Sequence, residues 1–271
     1  MLACEFEVIS DCAELLRRLD HMVPRPAQPI LPGRQYQLAA CRDGGGYRLE
    51  ENGRPIGRER DQAAAARTLF WRMQVLALEA VPEFSRIHAG CASRNGRRIV
   101  AAGPARSGKS TLMARLLFEG FDVHCDDLVL LRRGQALPYP RRFFIRPEAV
   151  ALIPQLAARS IDPFEWGGWD PGSLALDPLV LGFPWRIESG PVDIVLFLER
   201  DTCDTARLEA SPKHAMAERL MFQSTSPAGG PGDWVRDVCA LVDRADCYVL
   251  RSGSLGASVS LLKEVLESES A

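Results

Sequence analysis

The stretch GPARSGKSTL, Gly103 to Leu112, decides how the rest of the chain is read. A glycine, four residues, then Gly-Lys-Ser is the spacing of a loop that wraps phosphate, with Gly103, Gly108, Lys109 and Ser110 in the required places. The flanks agree, since RRIVAA (97–102) reads as a short buried strand and TLMARLLFEG (111–120) as a helix closed by Gly120. Glycines let successive N–H groups turn inward, and the following helix offers its positive end to an anion. Lys109 would reach the β- and γ-phosphates of ATP and Ser110 would ligate Mg²⁺, with Arg106, Ser107 and Thr111 as further nucleotide contacts. Arg supplies nearly every cation of this chain, and Lys occurs only at 109, 213 and 263, so a lysine at this position is informative.

The expected setting is an α/β sheet. Strand VDIVLFLE (192–199), a helix opened by Ser211-Pro212, a helix over 233–245, strand CYVLR (247–251) and a last helix over 254–267 alternate in the required way. Residues 1–84 read differently, as a small α+β subdomain ahead of a nucleotide-binding domain over 85–271. A helix over 11–22 with Ser10 as its cap is followed by the Pro-rich connector VPRPAQPILPG (23–33). Strands RQYQLAAC, YRLEE and RPIG then follow, separated by RDGGG and Asn52-Gly53, which predicts an antiparallel meander. A helix over 60–80 is stopped by Pro82.

Composition narrows the function classes. The 33 basic and 35 acidic residues leave a net charge of −2, so nothing global favours nucleic acid or an anionic membrane as partner. The eight cysteines form no C-x-x-C pair and no zinc spacing with the four histidines, and read as reduced thiols. The N-terminus MLACEFEVISDC carries acids where a signal peptide needs a basic region, and no apolar run is long enough to span a bilayer. A cytoplasmic protein is expected.

Two further motifs flank the loop. Asn95-Gly96 predicts a two-residue hairpin turn; if Arg94 faces Arg97, the register carries His88 to a place opposite Gly103, at the mouth of the site. Downstream, FDVHCDDLVLLRRG (121–134) ends a short apolar strand on Asp126-Asp127 and turns again at Arg133-Gly134. Phosphoryl transfer needs a metal ligand and a group that orients or deprotonates the acceptor hydroxyl, and adjacent acids can supply both. Glu199, at the end of the 192–199 strand, is the rival acid. Arg141, Arg142 and Arg146 are candidates, with Arg106, for neutralising charge on the transferred group. The segments 162–186 and 223–234, rich in Gly, Pro and Trp, are candidate covering loops, and Trp166, Trp169, Trp185 and Trp234 candidate stacking residues.

The order His88, Gly103–Thr111, Asp126-Asp127 resembles the core of the HPr kinase/phosphorylase family, over about Ile87 to Leu131. The resemblance implies a P-loop kinase core of the HPr-kinase/PEP-carboxykinase-like type. It implies Asp126 as base toward a serine hydroxyl, Asp127 and Ser110 on Mg²⁺, His88 and Lys109 in the catalytic group, and a homo-oligomer; the two acids are exchangeable at this stage. The chain departs from the family where the loop reads GPARSGKST, in lacking a good counterpart of a later Pro-Gly-Arg loop, and in its N-terminal region, and so more closely resembles the shorter HPr-kinase-related proteins. The expectation is an ATP-dependent kinase acting on a serine of a protein or peptide. A small-molecule kinase and a non-catalytic ATP-binding regulator stay open beside it.

Overall fold

The computed structural model describes residues 1–23, 25, 27, 33–157, 174–200, 205–225 and 230–268. The first part comprises β1 (Cys4–Ser10), α1 (Ala13–Met22), β2 (Arg34–Asp43), β3 (Gly46–Glu51), β4 (Arg54–Glu59) and α2 (Gln62–Glu79). Its sheet runs β1-β2-β3-β4. β2, β3 and β4 form the expected antiparallel meander, and β1, which no sequence signal announced, pairs parallel with β2. Leu15 and Leu19 of α1, Leu38 and Leu49 of the sheet, and Leu69 and Phe70 of α2 share one core. Ser10 does not cap α1. As the last residue of β1 it donates its hydroxyl to the Ala40 carbonyl (2.6 Å) and accepts from Cys12 N–H (3.1 Å), so the helix starts from Cys12 without a side-chain cap. Asp61 caps α2 by accepting from Ala64 N–H at 2.8 Å.

The remainder runs β5 (Ser85–Ile87), β6 (Ala89–Arg94), β7 (Arg97–Ala102), α3 (Lys109–Leu117), β8 (Asp122–Cys125), β9 (Val129–Arg132), β10 (Gln135–Pro138) and β11 (Phe143–Ile145). It continues with α4 (Pro147–Val150), α5 (Pro154–Ala157), β12 (Leu174–Leu176), β13 (Gly190–Pro191), β14 (Ile194–Arg200), β15 (Arg207–Ala210) and α6 (Lys213–Met221). Then come β16 (Ser224–Thr225), α7 (Pro231–Arg244), β17 (Asp246–Ser252) and α8 (Leu255–Ser268). The architecture is mixed α/β with several sheets. A six-stranded sheet has the order β15-β17-β14-β7-β6-β8, and β7, β14 and β17 in it are parallel. An antiparallel sheet of order β13-β10-β9-β5-β16 lies in the same part of the chain.

The chain changes sheets twice at matching points. β5 and β9 pair in the second sheet, with Ile87 opposite Val129. β6 and β8 pair in the first, with Cys91 opposite Cys125. Two strands thus cross together from one sheet to the other, one through His88 and the other through Asp126, Asp127 and Leu128. Leu2, Ala3, Cys4, Ala77 and Val81 belong to the same large core as α3 and the six-stranded sheet. Among the described residues, no helix is long and apolar enough to cross a membrane, and the seven described cysteines are free thiols.

Trp185 plugs this core rather than facing a ligand. It is 1% exposed, its indole N–H donates to the His124 carbonyl at 2.8 Å, and it meets Phe143 edge-on at 5.8 Å. The bond anchors β8 two residues before Asp126. Trp185→Ala should therefore lower unfolding stability by about 3–5 kcal/mol, read from the urea midpoint at unchanged slope.

Candidate active site

The loop after β7 keeps the conformation its glycines allow. At Gly103 (φ +155°) an added Cβ would stand 2.7 Å from the Leu198 carbonyl oxygen and 2.8 Å from Ser107 Oγ, so only hydrogen fits. Arg106 and Gly108 turn the chain through φ +66° and +100°, and α3 begins at Lys109. Lys109 Nζ donates back to the carbonyls of Gly103 (2.6 Å) and Pro104 (3.0 Å), which curls the loop around the ammonium. The first amides of α3 have no partner inside the helix. Ala105 through Leu112 form one wall of a cavity of about 910 Å³.

The paired crossing brings the acids and His88 into the same cavity, with Asp126 within hydrogen-bond reach of the Ser110 hydroxyl. Ala89 N–H donates to the Asp127 carbonyl at 3.0 Å, tying one crossing strand to the other. His88 Nδ1 then lies 2.9 Å from that carbonyl and 3.0 Å from Asp127 Oδ1; both oxygens accept, so Nδ1 carries the proton. The hairpin register is the expected one, from Arg94 opposite Arg97 to Ala89 opposite Ala102, and His88 follows one residue beyond the last pair. Arg141 Nη2 stands 2.8 Å from Asp127 Oδ2, and its guanidinium lies over the Phe144 ring at 5.2 Å.

Neighbouring carboxylates thus acquire opposite characters. Burial pushes Asp126 up to about 6, against the pull of Arg141 and the Ser110 hydroxyl, and Asp127 adds to the rise. Its Oδ1 is buried with no hydrogen-bond partner among the described residues. Burial also opposes ionisation of Asp127, but Arg141 and the hydrogen bond from His88 outweigh it and bring that carboxyl down to about 2. Burial lowers Lys109 to about 8, while Asp127 and Asp126 resist the drop.

Of the residues singled out in the sequence, His88, Arg106, Ser107, Gly108, Lys109, Ser110, Thr111, Asp126 and Asp127 line one cavity, together with Arg141 and Arg146. Gly103 stands behind the loop and contributes its carbonyl to Lys109. Arg142 is turned away to Asp177 (3.1 Å), and Glu199 to Arg251 (3.0 Å) and Arg219 (3.4 Å); neither reaches the cavity. Glu199 alternates with Leu198 and Arg200 along β14, and it is those two that line the wall. Trp234 donates its indole N–H to Ser224 Oγ (2.6 Å) away from the site. Trp166 and Trp169 lie outside the described residues. The described parts of 162–186 and 223–234 contribute nothing to the wall, and Leu174, Leu176, Leu181 and Trp185 are instead part of the core.

The sequence reading missed the rest of the wall. Phe70, Trp71 and Gln74 come from α2, Phe144 from β11, and Leu250 and the 253–258 turn from the join of β17 and α8. The available signal was that FWRMQV (70–75) is apolar around more of the helix than one core face needs.

Among the described residues, no group of three or more His, Cys, Asp and Glu side chains could hold a metal by itself. Mg²⁺ does not require one, because it keeps several waters and is bound through one or two carboxylates plus substrate phosphates. The donors present fit that pattern: the Ser110 hydroxyl and the Asp127 carboxylate, which Arg141 and His88 favour in its ionised form.

No protein-family model and no curated protein matches this chain. Among solved structures, the chain is similar to the Hpr(Ser) kinase/phosphatase from Coxiella burnetii. Identity is 14%, the match covers 68% of this chain and 98% of that one, and the TM-score is 0.34. At that TM-score the site has to be read from its own geometry.

The two loop glycines make separable predictions. Gly103→Ala forces a Cβ into the Leu198 backbone and should cost about 1–3 kcal/mol in thermal unfolding. Gly108→Ala meets nothing within 4 Å and should cost only the left-handed backbone, about 1–2 kcal/mol.

Proposed function

We propose that this protein is an ATP-dependent kinase that transfers the γ-phosphoryl group to a hydroxyl, that of a serine in a protein or peptide. The observation carrying this reading is that the start of α3, with Lys109, shares one cavity with Asp126, whose buried Oδ1 has no hydrogen-bond partner among the described residues. An anion-binding helix end opposite a carboxylate of raised proton affinity is what transfer to a hydroxyl requires.

In this reading the amides of the 103–111 loop, Lys109, Arg106, Ser107 and Thr111 hold the phosphates, within a P-loop core of the HPr-kinase-like type over 85–271. Residues 1–84 form the smaller unit. Asp126 orients the acceptor hydroxyl through Oδ1 and takes its proton as the oxygen–phosphorus bond forms and the bond to the ADP oxygen breaks. A carboxylate has about four acceptor sites, so Asp127 can receive His88 and Arg141 and still face a cation. Mg²⁺, held by Ser110 and Asp127 with the phosphates, would neutralise charge on the β- and γ-oxygens. His88 and Arg141 keep Asp127 ionised and fixed, and Arg141 adds positive charge beside the transferred group. Dependence on ATP and the free thiols suit a cytoplasmic location.

The test follows ³²P from γ-labelled ATP into the protein and small-molecule fractions of host extract. Wild type should label protein, Lys109→Ala should lose nucleotide affinity, and Asp126→Asn should lose roughly 10²- to 10⁴-fold in rate at nearly unchanged nucleotide Kd. Label in a small molecule would move the acceptor to a metabolite. Tight nucleotide binding with no transfer by wild type would sink the enzyme reading and leave a regulator.

A base must be unprotonated to act. The transfer rate should therefore rise with pH through about 6, the value to which burial lifts Asp126, and fall on the acid side; a flat profile between pH 5 and pH 7 would remove Asp126 from that role.

A further inference from the structure

We propose that the 103–111 loop divides the cavity into a nucleoside side and an acceptor side, and that Trp71 on α2 forms the acceptor side, selecting a peptide serine with an apolar or aromatic neighbour. This inference rests on the kinase reading above.

The sheet order assigns the sides. The loop leaves β7; β14 and β17 lie to one side of that strand, β6 and β8 to the other. Asp126 follows β8, so an acceptor hydroxyl that reaches it approaches from the β8 side. The nucleoside is left with the opposite wall, made by Leu198, Leu250 and the 253–258 turn.

From Asp126 the acceptor wall can be traced contact by contact to α2. Asp127 holds Arg141, Arg141 covers the Phe144 ring, and Phe144 packs against the core that contains Phe70 and Met73. The Tyr139 hydroxyl donates to the Gln74 carbonyl at 3.5 Å, tying α2 to the chain just before Arg141.

The surface presented there is apolar. Trp71 is 39% exposed and Leu152, following α4, is 57% exposed, and both line the cavity. Arg146 and Glu148 beside it are of opposite sign and lie 3.9 Å apart. Selection on this wall is by covering an indole face, the type of contact at which aromatic anchors dominate binding.

The test uses the full-length protein, γ-labelled ATP and short serine peptides varied at the positions flanking the serine. Peptides with Phe, Tyr, Leu or Met beside the serine should exceed those with Gly, Asp or Lys roughly tenfold in kcat/KM. Trp71→Ala should abolish that preference by raising peptide KM, with the Kd of a fluorescent ATP analogue changed less than about twofold, and Trp71→Phe should retain it. Thermal unfolding of both variants shows whether α2 still packs, and Trp71→Phe decides the matter if Trp71→Ala does not.

Absence of any flanking preference overturns the assignment while leaving the kinase reading intact. So does a Trp71→Ala variant that weakens nucleotide and peptide alike, which would put α2 on the nucleoside side. A wild type that labels none of the peptides overturns the peptide assignment, and the kinase reading falls with it only if host extract is unlabelled as well.

Discussion

A backbone hydrogen bond, from the Ala89 N–H to the Asp127 carbonyl, holds together two strands where both leave one sheet for another. Strand pairing on either side, Ile87 with Val129 and Cys91 with Cys125, leaves the crossing segments no freedom to separate. Backbone that leaves a sheet must still satisfy its polar groups; beside the Ala89–Asp127 bond, the His88 N–H donates to the Gln223 carbonyl and the Leu128 carbonyl accepts from the Tyr139 N–H. Side chains that a continuous strand would have alternated between opposite faces are brought into one place. His88 and the carboxylate pair meet there, lining the same cavity as Lys109.

The environments of the two acids then diverge because the attraction of cations exceeds the cost of burial at one and falls short of it at the other. Asp127 receives Arg141 and His88, which overcome the penalty of burial. Asp126, more deeply enclosed at 2% exposure, feels Arg141 and Ser110 too little to offset burial, and its Oδ1 has no hydrogen-bond partner among the described residues. In the proposed kinase, a pair with one carboxyl kept ionised and the other kept proton-affine would divide metal binding from proton acceptance without any difference in residue type.

The small N-terminal sheet is more than an attachment. Leu2, Cys4, Ala77 and Val81 are continuous with the core beneath α3, and α2 brings Phe70, Trp71 and Gln74 to the cavity. A helix whose apolar surface is wider than one core face can serve two layers, and α2 uses its second face as cavity wall. Trp185, whose neighbours suggested a loop over the substrate, met the hydrogen-bonding need of its indole at a strand carbonyl inside the core.

What the sequence determined by itself was local. The glycine spacing before α3, the register imposed by Asn95-Gly96, the meander around Asn52-Gly53 and the apolar alternation of β14 and β17 each follow from backbone sterics or period within a few residues. What tertiary structure decided was which distant groups meet. β1 joined the first sheet by pairing with β2, Ser10 turned to a strand carbonyl instead of a helix amide, and Glu199 was claimed by Arg251 and Arg219. The distinction between Asp126 and Asp127 depends on Arg141, fourteen positions beyond Asp127, and the cavity wall on Phe70, Trp71 and Gln74 of α2, about thirty positions before the loop. Burial and charge act through space, so neighbours of that kind leave no trace in local spacing.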